Sequence, residues 1–282
     1  MIDPAWVALS LTEHIGGKTL RSLMQHFNGD SRAILAADTA ALRKVPGVGP
    51  VIARNIRAID LASIEAAIPR WQAAGVDIVT LDTPRYPPRL RQLPDAPATL
   101  FVHGVWPEAI SRSAAIVGTR SPSAISQNIA SVLGLTLAER GYTVVSGLAL
   151  GVDTAAHLGA LAVPGSAVLA VLGCGVLNVY PQANLGLAEA IRGHGALLAE
   201  VHPEAVPNAA ALVARNRIIS GLSDSLIVVE TGIEGGAMYA ARFALKQGRA
   251  LYAVANDASG NRQLLKEGAL PLSPDLKDLP FG

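Results

Sequence analysis

From about Ser111 onward the chain repeats one pattern: a short apolar run rich in β-branched residues, a glycine-bearing turn, an amphipathic helical stretch, then the next apolar run. Six runs fit, at Ala114–Val117, Thr143–Val145, Ala167–Leu172, Ala196–Ala199, Leu226–Val229 and Ala250–Val254. Short continuous apolar strands are those buried on both faces, and intervening helices give the crossovers that parallel pairing needs. The pattern predicts an α/β fold on a doubly wound, Rossmann-like, mostly parallel sheet.

The preceding sequence is of another kind. Residues 1–75 carry apolar side chains at helical spacing, in Trp6, Leu9, Leu20, Leu23, Met24, Phe27, Ile34 and Leu35, broken at Gly16-Gly17 and Asn28-Gly29-Asp30. One long helical run is expected from Pro50 to Ala74, so this part reads as a small all-helical domain. Residues 76–110 read as a linker with short strands at Val76–Leu81 and Thr99–Val102. The proline-rich stretch between them, Asp82–Pro97, is expected to sustain neither helix nor central strand. Residues 111–282 then form the Rossmann-like domain.

With 282 residues, half of them hydrophobic, the chain can bury a sizeable core and is not a disordered protein. The 35 residues Thr154–Ala188 lack Asp, Glu, Lys and Arg, but Pro164, Gly165, Gly173, Gly175, Asn178 and Pro181 interrupt them. They read as sheet interior, and no membrane association is expected. Cys174 is the single cysteine, which rules out an intramolecular disulfide and suits a reducing compartment. The opening MIDPAWVALS has no basic region followed by an apolar core, so export by a signal peptide is not expected.

Ligands of such sheets bind outside the carboxyl ends of the strands, near a switch point. Four of the expected strands empty there into glycine-bearing loops: Gly118-Thr119-Arg120, Ser146-Gly147 through Gly151 to Asp153, Gly173-Cys174-Gly175, and Glu230-Thr231-Gly232-Ile233-Glu234-Gly235-Gly236. Such glycines either make tight turns or let backbone amides approach an anion. Arg120 and the Arg215-Asn216-Arg217 triplet favour the anion, because guanidinium forks match phosphate oxygens. The net charge is only +1, with 8 basic and 8 acidic residues between 113 and 252, so any grip on nucleic acid must be local. No Walker A or GxGxxG pattern follows a strand, which removes support for ATP hydrolysis and dinucleotide redox chemistry.

Catalytic groupings are thin. Asp153 and His157 share a helix face, either as an acid–base pair or, more simply, as a cap and a packed neighbour. Cys174 has no evident base, and His103, His194 and His202 show no metal-ligand spacing, so neither a metal nor a cofactor is expected. Tyr180-Pro181 either stacks on a ligand or packs. In the helical domain, Val45-Pro46-Gly47-Val48-Gly49 before a helix looks like a helix-hairpin-helix turn. Gly47 and Gly49 there either offer amides to a DNA phosphate or form a packing turn.

Taken in order, Val117–Arg120, the run from Val145 through Ser146-Gly147 to Asp153 and His157, Leu172–Gly175 with Tyr180, Pro181 and Asn184, and Arg215–Ser223 resemble the DNA processing protein A (DprA/Smf) family from about Tyr86 to Gly268. The resemblance implies a sequence-independent single-stranded DNA binder rather than an enzyme. It further implies protection of incoming strands, help in loading a RecA-type recombinase during natural transformation, cytoplasmic location, a homodimer, and a sterile-alpha-motif-like N-terminal domain. Carried over, the DNA-contacting positions fall on Arg120 in the Gly118-Thr119-Arg120 motif, on Ser146 and Gly147, and on Arg215, Asn216 and Arg217; Tyr180, Gly235 and Gly236, at the same sheet edge, are expected to join them. The chain departs from the family pattern at Gln182, where lysine is common, and at Leu212-Val213, where Phe-Pro is common. A Rossmann-like phosphoribohydrolase is the alternative. Those enzymes place a glutamate a few residues into the helix after the Gly-Gly turn, whereas here the run Ala237–Lys246 contains no acidic side chain.

Overall fold

The computed structural model describes residues 2–107, 110–277 and 279–281. Contacts divide the chain into two compact units, Met1–Phe101 with Glu200–His202, and Val102–Ala199 with Pro203–Gly282.

The first unit holds helices α1 (Pro4–Ser10), α2 (Gly17–His26), α3 (Ser31–Ala36), α4 (Thr39–Leu42), α5 (Pro50–Arg57) and α6 (Leu61–Ala73), then β1 (Val76–Thr80), α7 (Pro88–Arg91) and β2 (Thr99–Gly104), which leads into the second. Aspartates start four of these helices: Asp3, Asp30, Asp38 and Asp60 accept from the amides of Ala5, Ala33, Ala41 and Ser63. Each such cap contributes about 1 kcal/mol. The cap at Asp60 divides the single helix expected over Pro50–Ala74 into α5 and α6. The proline-rich stretch was expected to hold no helix, yet α7 forms there, because Pro88 stands at its first position, where a missing N–H costs nothing. Leu20, Leu23, Ile34, Leu42, Ile56 and Trp71 are buried in this unit, with Trp71 edge-on to Phe101 at 5.6 Å.

The second unit alternates strand and helix: β3 (Ser113–Val117), α8 (Ala124–Glu139), β4 (Thr143–Ser146), α9 (Val152–Leu161), β5 (Val168–Val171), α10 (Leu185–His194), β6 (Gly195–Ala199), α11 (Ala209–Ala214), α12 (Asn216–Gly221), β7 (Ser225–Val228), α13 (Gly236–Lys246), β8 (Ala250–Val254), α14 (Ser259–Lys266) and β9 (Leu270–Leu272). Its strands run in the order β6-β5-β4-β3-β7-β8-β9, every pair parallel. All six expected strands are present. Winding reverses between β3 and β7, so right-handed crossovers place α8, α9 and α10 on one face and α13 and α14 on the other. Helices α8 and α9 approach closely through small residues: a Cβ on Gly159 would stand 1.9 Å from the Ser131 carbonyl oxygen. Strand β9 was not expected, since it is three residues long and contains Pro271, which only an edge strand tolerates.

Candidate functional site

The reversal of winding brings the carboxyl ends of β3 and β7 side by side, where open sheets of this kind take their ligands. Here backbone joins the two loops: Thr119 N donates to Glu230 O at 2.7 Å and Val229 N to Val117 O at 3.0 Å. Gly118 lies within this join, and a Cβ on it would meet Val152 Cγ2 at 2.5 Å. The opening is displaced toward β4 and β5. It is a cavity of about 70 Å³ lined by Arg120, Gly147, Ala149, Leu150, Tyr180, Pro181, Leu212 and Arg215. Four of the site residues expected from sequence, Arg120, Gly147, Tyr180 and Arg215, thus share one cavity.

Its wall is the loop after β4, which is held from inside. Gly147 N and Ala149 N donate to Asp153 Oδ2 at 3.1 and 3.3 Å. Thr154 Oγ1 donates to Ala149 O at 2.8 Å, and Asn184 Nδ2 donates to both Leu148 O and Thr154 Oγ1 at 2.9 Å. A Cβ on Gly147 would stand 2.1 Å from Arg215 Nη1, and one on Gly151 would stand 2.5 Å from Thr119 O. The glycines of this loop serve contact of protein with protein, and the amides of Gly147 and Ala149 already face a carboxylate. Ser146 likewise turns inward, its hydroxyl donating to Ile116 O at 2.6 Å.

The arginines differ in kind. Arg215 stands between α11 and α12 and is 7% exposed. Its Nη1 donates to Gly147 O and Val171 O, and its Nη2 lies 3.9 Å from Asp153 Oδ2. Arg120 is exposed at the cavity rim, and none of the described residues gives its guanidinium a hydrogen bond or an ion pair. The buried Asp153–Arg215 pair is close to neutral from outside, so the uncompensated positive charge at the cavity belongs to Arg120. Tyr180, 41% exposed, stands on the same cavity and gives it an aromatic wall.

Burial raises the Asp153 carboxyl above the usual carboxylate range despite Arg215, and lowers the Arg215 guanidinium despite Asp153. One helical turn on, His157 is fully buried, and burial together with Arg215 lowers its pKa to about 3. Burial also raises the Cys174 thiol. Neither Asp153 nor His157 lines the cavity, so the two do not present an acid–base pair to a ligand there.

The remaining expected residues lie elsewhere. Asn216 is buried, its Nδ2 donating to Gly236 O at 3.5 Å, and Arg217, on α12, does not line the cavity. Gly235 and Gly236 open α13, whose first turn has no acidic residue. Gly47, at φ +87°, and Gly49 precede α5 in the first unit, each facing open space. Sequence reasoning missed Asn261, which has no local pattern to mark it. Its Nδ2 donates to Val228 O, Val229 O and Val254 O, and its Oδ1 accepts from Thr231 N at 2.8 Å. Asn261→Ala leaves all four groups without that partner in a buried place and is expected to cost about 1–3 kcal/mol in urea unfolding; an unchanged midpoint would refute the loss.

The family model of DNA recombination-mediator protein A matches residues 77–279. The chain belongs to the DNA recombination-mediator protein A family. It is 37% identical to Protein Smf of Escherichia coli (strain K12) over 229 residues, which cover 78% of this chain and 61% of that protein. With the DNA processing protein DprA of Bacillus subtilis (strain 168) it shares 35% identity over 212 residues, 72% of this chain and 71% of the relative. The chain thus spans about three fifths of the Escherichia coli relative. Among solved structures of the family, DNA processing protein A from Streptococcus pneumoniae matches with a TM-score of 0.79 at 25% identity, covering 97% of this chain and 96% of that one. A structure of DNA processing protein A from Helicobacter pylori, described for its single-stranded DNA binding mode, matches with a TM-score of 0.61 at 30% identity over 69% of this chain and 90% of that one. No helix among the described residues is long and apolar enough to cross a membrane.

Proposed function

We propose that this chain binds single-stranded DNA without sequence preference, acts in the cytoplasm, and is not itself an enzyme. The observation that carries the reading is Arg120: a solvent-facing guanidinium with no partner among the described residues, beside the exposed ring of Tyr180, at one rim of a parallel sheet. A cation that holds the phosphate backbone and a ring on which a base can stack are what sequence-tolerant binding of single strands requires. Family membership and the Helicobacter pylori relative support the same ligand. On this reading the chain works as a homodimer that protects incoming strands and hands them to a RecA-type recombinase.

Fluorescence anisotropy of a labelled oligo(dT) against a duplex of equal length, across a salt series, tests the ligand. The single strand is expected to bind more tightly, and equal or weaker binding than the duplex would overturn the reading. Arg120→Ala is expected to weaken binding of every sequence alike and to reduce the log–log salt slope by about 0.7, the share of one phosphate contact. An unchanged slope removes Arg120 from the backbone contacts. Co-precipitation with the recombinase of the same organism, and light scattering with and without DNA, address the partner and the dimer.

A further inference from the structure

We infer that Asp153 and Arg215 are positioning residues, which set the geometry of Arg120 and do not themselves touch the strand; the inference rests on the single-stranded DNA reading above. Bidentate recognition of a phosphate needs two outward N–H groups of one guanidinium. Nη1 of Arg215 is instead committed to the carbonyls of Gly147 and Val171, and its Nη2 lies toward Asp153. The amides of Gly147 and Ala149, which could have cradled a phosphate, are committed to the Asp153 carboxylate. Asp153 thus occupies the amide cradle as an anion belonging to the protein itself.

The consequence travels by contact to the rim. Arg215 packs on Gly147 so closely that no Cβ fits between them, and Asp153 holds the next turn of the same loop. That loop ends at Gly151, which presses on the backbone of Thr119 and Arg120 at distances a side chain would forbid, and Val152 N donates to Thr119 O at 3.2 Å. If the clamp loosens, Gly151 and Val152 shift and the backbone that carries Arg120 loses its support.

Salt titrations of oligo(dT) binding to the parent chain, Asp153→Asn and Arg215→Gln test this. An electrostatic role for Asp153 predicts that removing its negative charge tightens binding. The positioning role predicts the opposite sign: both variants bind about tenfold or more weakly, and neither substitution weakens binding further when Arg120 is already alanine. Amide resonances of Thr119 and Arg120 shift in Asp153→Asn well below its unfolding temperature, which a mere loss of global stability does not produce. Tighter binding by Asp153→Asn, or a further loss of about 0.7 in salt slope when Arg215→Gln is added to Arg120→Ala, overturns the inference.

Should either variant fail to fold, hydrogen exchange on the parent chain decides. The Gly147 and Ala149 amides are expected to be protected without DNA and unchanged at saturating oligo(dT), and new protection on addition overturns the inference. A parent chain that binds no oligonucleotide while keeping those two amides protected refutes the DNA reading and leaves the clamp standing as structure, so the two failures are told apart.

Discussion

Arg215→Met is expected to lower the free energy of unfolding by about 3–5 kcal/mol at neutral pH, read as a drop in the urea midpoint. The side chain is buried, and its removal leaves the Gly147 and Val171 carbonyls without that donor and the Asp153 carboxylate without its counter-charge. The deficit should depend on pH with a definite sign. Burial already raises Asp153, and Arg215 is the largest influence opposing that rise. Without it, the folded-state pKa climbs further above the unfolded value of about 3.9, so the folded state holds the proton more tightly than the unfolded one. Stability from such a group is fully present below the unfolded pKa and is lost as pH rises through the folded pKa. The variant should therefore stand closer to the parent at about pH 4–5 than at pH 7. A deficit of constant size over that range would show that Asp153 is not left uncompensated. Removing both charges, as Asp153→Leu with Arg215→Met, is expected to recover part of the loss, since an apolar pair spares the desolvation of two ions.

The second large effect belongs to His157. In the unfolded chain this imidazole takes a proton near pH 6.5, whereas in the folded chain it resists until about pH 3. The unfolded state then binds the proton first as pH falls. The group's contribution is present above pH 6.5 and is lost on acidification at about 1.4 kcal/mol per pH unit. Its ring nitrogens have no hydrogen-bond partner among the described residues, so His157→Leu, of similar volume, breaks no bond to them. Measured by urea unfolding, the stability of the parent relative to the variant should fall as pH drops below 6.5, with the variant the flatter of the two. Burial also lowers His103, with the same sign, so the difference between the two chains, rather than the parent curve alone, isolates His157. Parallel curves below pH 6.5 would mean that His157 is not buried as a neutral ring.

The sheet was legible because its signal is local: Ala114–Val117 or Leu226–Val229 must be apolar on both faces, and six separate runs say so independently. Boundaries set by a single side chain were less so. Asp60 splits one expected helix into two, and Pro88 begins a helix inside a stretch that prolines were expected to keep irregular. Arg120 was placed at the rim from its position just past a strand, and it stands there. Arg215 could not be told from it in sequence, since both are arginines in runs that suggest phosphate. Only the fold shows that one guanidinium faces solvent while the other lies against Gly147 and Asp153. The loop glycines were open to two readings in the same way, because small size serves a neighbouring backbone as readily as a ligand, and nothing within five residues of Gly147 announces that Arg215, 68 positions later, will occupy that space.

The loop after β4 has little slack: Asn184, Thr154, Asp153 and Arg215 each hold a different atom of it. On the proposed reading, a strand arriving at the Arg120 rim meets a surface that is already assembled, so capture needs no prior rearrangement of this wall and the protein side of the encounter loses little freedom. Discrimination among oligonucleotides then falls on how long each one stays. If bases stack on Tyr180 as proposed, residence time, more than the speed of arrival, is the quantity through which that stacking is felt.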